Sequence, residues 1–259
     1  MMLARIGHIA FNTYREAVRD RVLYNLVFFA LLMVASAPLF GNISIGLERI
    51  VLVNLGLTAI TLFGVVIAIF IGIGLVSKEI DKKTLYTVLS RPVRRWEFIF
   101  GKYCGLAGTL LVNTFFMAVG LFLALLYVKK GLTGADGQIL VALYLIILQF
   151  LVITAITLLF SSFSSPLLSA LFAFAVFVIG NFADDIRGFA LLTEGAQRWL
   201  IIGLSYVVPN FGAMNVVSQV AHEQPVSGSI ILLNTIYAVV YAGAALCGTI
   251  LVFERRNLK

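Results

Sequence analysis

Three short combinations in this chain of 259 residues carry side chains that catalysis uses. Gly101-Lys102 pairs a glycine with an ammonium group, as a phosphate-binding turn does. Such a turn needs a glycine-rich loop and then Gly-Lys-Ser/Thr, so that backbone amides cradle the phosphates while the hydroxyl holds magnesium. Here the loop is missing and Tyr103 follows the lysine. His222-Glu223 opens like a zinc-protease helix, but no second histidine stands four residues on. Gly203-Leu204-Ser205 has the outline of a serine-nucleophile turn, yet no histidine in an apolar run is there to serve as its base. His8 has no second ligand nearby and reads as a polar-face residue. Cys104 and Cys247 match no metal-ligand spacing and read as small packing residues. No Asp or Glu lies in the middle of an apolar run, where a proton-driven carrier needs an ionisable relay. The reading is a chain with no catalytic residue, no metal site and no energy source of its own.

Two polar patterns remain. Asn54, Thr58 and Thr61 share one helical face, and Asn234, Tyr237 and Tyr241 share another. They serve either as hydrogen bonds between helices or as the lining of a path for a polar or amphipathic substrate. The second pattern is the long charged run from Ser77 to Tyr103. It carries Lys78, Lys82, Lys83, Arg91, Arg94, Arg95 and Lys102 against Glu79, Asp81 and Glu97. The spacing of Ile80, Thr84, Leu85, Val88 and Leu89 predicts a short amphipathic helix that ends before Pro92, because proline crowds its predecessor out of the α region. A second short helix restarts behind Ser90 as its cap. Two helices folded back at Ser90-Arg91-Pro92 make a compact knob suited to being gripped.

The elements that carry these patterns are membrane spans. Hydrophobic residues make up 61% of the chain and charged residues 12%, with a mean hydropathy of +1.04; soluble proteins hold about a quarter charged residues. Several apolar runs exceed the 18 residues that mark a spanning helix, which excludes a β-barrel of short alternating strands. The expected fold is an all-α polytopic membrane protein, a single domain with six transmembrane helices at about 22–40, 50–76, 101–128, 139–160, 167–183 and 229–253. Residues 1–21 form an N-terminal amphipathic interfacial helix, with Ile6, Ile9, Ala10, Thr13 and Ala17 on its apolar face. Ala35-Ser36-Ala37 mimics a signal-peptidase site, but the segment before the first apolar run is too long and carries two acids, so the helix is retained. Gly64, Ala68 and Gly72 make a seam for close helix packing. Residues 77–100 are a cytosolic loop. Residues 184–228 are an outer segment, in which the apolar run from Trp199 to Val208 is too short to cross and reads as re-entrant or interfacial.

The net charge of +7 does not point to nucleic acid, because the cations flank spans and form no basic domain. It fixes orientation instead. Arg5, Arg15, Arg19 and Arg21, the seven cations of the knob, and Arg255, Arg256 and Lys259 total 14 on one side. Arg49, Lys129, Lys130, Arg187 and Arg198 total five on the other, while the acids divide evenly. By the positive-inside rule both termini are cytoplasmic.

Several stretches together resemble the ABC-2 type permeases, and among these are most similar to the branch associated with multicopper-enzyme maturation. They are Thr13 to Arg21; Glu79-Ile80-Asp81-Lys82-Lys83-Thr84; Leu89-Ser90-Arg91-Pro92-Val93-Arg94-Arg95 with Gly101-Lys102; Tyr206-Val207-Val208-Pro209-Asn210-Phe211; and Phe253-Glu254-Arg255-Arg256. The likeness covers nearly the whole chain, with Lys83 standing where many members have glycine. It implies a membrane-spanning permease subunit of an ATP-binding cassette exporter in a bacterial or archaeal cytoplasmic membrane. The loop after the second span would be a coupling helix, so that Glu79, Asp81, Thr84, Arg91, Pro92, Arg94, Arg95 and Glu97 meet a separate ATPase. The implied partners are two copies of that ATPase, a second permease copy identical or similar to this one, and membrane lipids, with ATP and magnesium held on the ATPase. The alternatives are a membrane scaffold that recruits a cytosolic partner without transport, and a channel or secondary carrier.

Overall fold

The computed structural model describes residues 2–19, 24, 27–28, 31–32, 35–36, 47–81, 95–129, 131, 133–192 and 195–255. Most of the expected first span, the middle of the charged loop (82–94) and the last four residues lie outside that set. The described residues are 90% helical with no strand, and the chain is an all-α polytopic membrane protein.

Helix α1 runs from Met2 to Val18. The two longest helices follow, α2 from Glu48 to Asp81 and α3 from Arg95 to Lys129. Both reach further into the charged segment than the apolar pattern indicates, α2 to Asp81 and α3 from Arg95. The physical reason is local. Nothing from Leu75 to Asp81 breaks a helix, and Glu97 in the first turn of α3 complements the positive end of its dipole. At 34 residues and about 1.5 Å per residue, α2 is some 51 Å long, well beyond the ~30 Å of bilayer hydrocarbon.

Helix α4, Gly137–Phe163, is the centre of the fold. It packs on α2 and α3, on α5 (Pro166–Asn181), and on the last helix. Its most apolar 18-residue window is 72% buried. The seam on α2 explains how close the helices come: a Cβ on Gly64 would strike the Phe150 ring, and one on Gly72 would stand 3.1 Å from the Thr157 methyl. Between α4 and α5 the chain turns tightly through Ser164 and Ser165, and Pro166 occupies the start of α5. Proline is at ease there, because the first-turn N–H has no partner within the helix.

Helix α1 shows what its apolar face is for. Ile6, Thr13 and Ala17 are buried while His8, Phe11, Asn12, Arg15 and Glu16 are exposed. The buried face lies lengthwise on the first turns of α3. A Cβ on Gly101 would meet Ile9, one on Gly105 would stand 2.5 Å from the Ala10 carbonyl oxygen, and Tyr14 flanks Gly108. These contacts advance together, so the two helices run in the same direction, and Leu31 continues the series against Gly120.

After α5 the chain bends by 61° into α6, Ala183–Leu191, which pairs with α7, Ala196–Val207. A 3-10 turn at Gly212–Met214 and the short α8, Val217–Ala221, lead to α9, Gly228–Arg255. Among the described residues four helices are long and apolar enough to cross a membrane, and six if each bent pair (α5 with α6, α7 with α8) is one span.

Candidate functional site

The segment between α7 and α8 dips into the helix bundle and is held there by backbone-directed hydrogen bonds. The Phe211 N–H donates to the Gly180 carbonyl at 3.0 Å, and the Gln149 side chain donates to the Phe211 carbonyl at 3.0 Å. Phe211 is fully buried, its ring 5.5 Å from that of Phe177. Gly180 makes this possible, since a Cβ there would collide with the Pro209 carbonyl. Gln149 stands 12 residues into α4, about 18 Å along it. Ala221, only ten residues after Phe211, is back at Arg49 near the start of α2. The segment therefore reaches the middle of α4 and returns toward the start of α2.

The second polar stripe holds the same segment. The Tyr237 hydroxyl oxygen accepts the Asn210 N–H at 3.0 Å, Asn234 donates to the Ala213 carbonyl at 3.0 Å, and Tyr241 donates to the Val207 carbonyl at 2.8 Å. Asn234 and Tyr237 also border a cavity of about 490 Å³, with Arg187, Asn210, Ala213, Leu233, Ile236 and Val240. The first stripe lies elsewhere. Asn54 is half-buried on α2, Thr58 is exposed, and Thr61 donates to its own helix at Leu57 (2.9 Å). Helices α2 and α9 each pack on α4.

These bonds set an expectation. Asn234→Leu and Tyr241→Phe should each cost the purified protein the ~0.6 kcal/mol of stability that such bonds average in membranes, seen as a lower melting temperature. A path-lining role is the competing account, and it gains support if stability holds in both variants while transport by the membrane-inserted chain falls.

Of the residues expected to meet a partner, Thr84, Arg91, Pro92 and Arg94 lie outside the described residues. Glu79 and Asp81 fall in the last turn of α2, and Arg95 opens α3. Glu97 is turned inward and only 3% exposed. Beside it Lys102 is also buried, its ammonium 5.1 Å from the centre of the Phe98 ring, and Phe98 stacks on Phe253 from the end of α9. The base of the charged loop is thus tied to α1 through the glycines of α3 and to α9 through these rings.

One cluster was missed in the sequence. The Arg49 guanidinium lies 3.1 Å from both Asp136 and Glu223 and donates to the carbonyls of Val220 (3.3 Å) and Ala221 (2.8 Å). Asp136 in turn accepts the Thr133 N–H at 2.7 Å and hydroxyl at 3.0 Å, with Lys129 at 3.7 Å. Arg49 so closes the carbonyl end of α8 onto the starts of α2 and α4. Glu223 adopts the left-handed region (φ 61°). The available signals were weak: a lone arginine beside an apolar run, and Thr133 three residues before an acid.

A family model described as "ABC-2 family transporter protein" matches residues 8–258, nearly the whole chain. No curated protein matches it.

Proposed function

Because this chain belongs to the ABC-2 family of transporter proteins, a membrane permease of an ABC transporter, we propose that it works as an exporter subunit energised by a separate ATPase. Membrane subunits of this family are generally non-catalytic and work with an ABC ATPase. The proposal adds the arrangement. Two permease copies, identical or similar, form the translocation path. Two ATPase chains carrying ATP and magnesium seat on the loop at 77–100, and both permease termini lie in the cytoplasm of a bacterial or archaeal cell.

The observation that carries this reading is the course of α2 and α3. The apolar stretch of α2 ends at Val76, yet the helix continues to Asp81. Its partner α3 begins at Arg95, so both helices carry charged residues of the loop at their ends. A loop that only fixed orientation would need cations alone. This one mixes Glu79 and Asp81 with its cations, which suits recognition by a charged protein surface. The buried contacts of Lys102, Phe98 and Phe253 would pass a displacement of that loop on to α9.

The test is purification of the full chain from its native membrane in mild detergent. An ATPase should co-purify, and the complex should hydrolyse Mg-ATP. A chain that carries cytosolic proteins but no ATPase would favour the scaffold reading instead.

A further inference from the structure

The cavity between α6, the turn at 210–213 and α9 is lined by one cation, Arg187, and by apolar side chains of α9. We propose that it is a resident site for one anionic membrane phospholipid, with Arg187 on the phosphate and an acyl chain along Leu233, Ile236 and Val240 of α9. The inference is independent of the transport reading, since it needs only that the chain sits in a bilayer.

Size is the first argument. About 490 Å³ falls within the ~300–1,000 Å³ of small-molecule sites and suits a headgroup with the upper part of one chain. The wall is the second. Leu233, Ile236 and Val240 fall on one side of α9 at helical spacing, and they are 66%, 54% and 65% exposed. In a membrane such side chains meet acyl chains, not water. The polar end is the third. The Arg187 guanidinium is braced by a 3.2 Å bond to the Ser205 carbonyl and lies 5.0 Å from the centre of the Tyr206 ring. Asp184 approaches it only at 3.4 Å, and the same carboxylate oxygen already accepts a 2.7 Å bond from Asn210. The cation is therefore held in place without being tightly matched. Near it, the Tyr237 oxygen accepts from the Asn210 N–H, which leaves its own hydrogen to be given to a phosphate oxygen. A planar guanidinium beside a hydroxyl donor is a fitting pair for phosphate.

The competing account is that Arg187 only staples α6 to α7. The experiment separates the two by native mass spectrometry of the full chain, titrated with phosphatidylglycerol or phosphatidylcholine of equal chain length. One phosphatidylglycerol per chain should be retained, at least five times more tightly than phosphatidylcholine. Arg187→Lys should keep most of that preference and Arg187→Gln should abolish it. Ile236→Trp, placed on an exposed helix face, should fill the wall and reduce retention of the lipid at an unchanged melting temperature. If Arg187→Gln does not fold, Ile236→Trp and the phosphatidylcholine comparison decide alone. Equal retention of the two lipids overturns the proposal, as does phosphatidylglycerol binding that Ile236→Trp leaves intact. Loss of the lipid from the site during ATP-driven turnover would mark it as cargo and overturn the resident assignment.

Discussion

Asp136→Ala is expected to destabilise the protein by about 3–5 kcal/mol, because it takes the buried counter-ion from a buried guanidinium. The Arg49 side chain is 10% exposed and the Asp136 side chain 3%, so neither charge is repaid by water. A pair at an open surface would contribute only ~0–1 kcal/mol. Removing the carboxylate leaves Arg49 with the more exposed Glu223 and also frees the Thr133 amide and hydroxyl. The double replacement Arg49→Met with Asp136→Leu should recover part of the loss, since the buried guanidinium is gone and the charges that lose a partner, Glu223 and Lys129, are the more exposed ones. Thermal unfolding of both variants beside the native chain measures this. A single variant within about 1 kcal/mol of the native protein would mean that the cluster is solvated and holds nothing. The consequence also extends to α8, whose last carbonyls are held by the same guanidinium.

Reversal of charge in the loop should have the largest effect on function. Glu79→Lys, and separately Arg94→Glu with Arg95→Glu, are expected to leave the chain inserted in the membrane while the ATPase is lost or its turnover uncoupled. Breaking one member of a desolvated interfacial pair costs about 2–5 kcal/mol, which corresponds to roughly 30-fold to several-thousand-fold in affinity. An orientation loop behaves differently. It depends on the number of cations, so Glu79→Lys would strengthen it. Glu97 is left out of this pair of tests, because its carboxylate is buried and its replacement would disturb the packing of α3 first.

The apolar helices were legible in the sequence because each depends on its own composition, and the glycine seam on α2 was legible because its spacing is local. Helix α1 shows the limit of that kind of reading. Its apolar face was assigned to the right residues, but amphipathicity does not say whether the face meets lipid or protein. The partner was recorded only in Gly101, Gly105 and Gly108, on a helix about 90 residues away. Residues 184–228 were harder still. Their helices are short, and bonds from Gln149, Asn234, Tyr237 and Tyr241 to backbone atoms hold the segment in place. A side chain that bonds to a backbone leaves no complementary residue type to find. The Arg49 cluster was hidden for the same reason of distance, with Asp136 lying 87 residues on. The tyrosine stripe was visible as a stripe, but its partner was not.

Site-directed cross-linking at the loop tests the coupling role most directly. In a chain with Cys104 and Cys247 replaced by alanine, Arg91→Cys labelled with a photoactivatable maleimide would be illuminated in the purified complex. A cross-link to an ATPase chain, altered in yield by Mg-ATP, is the result expected if the loop seats on the motor. A complex that holds its ATPase and hydrolyses ATP, yet gives no cross-link from position 91 in any nucleotide state, would contradict it.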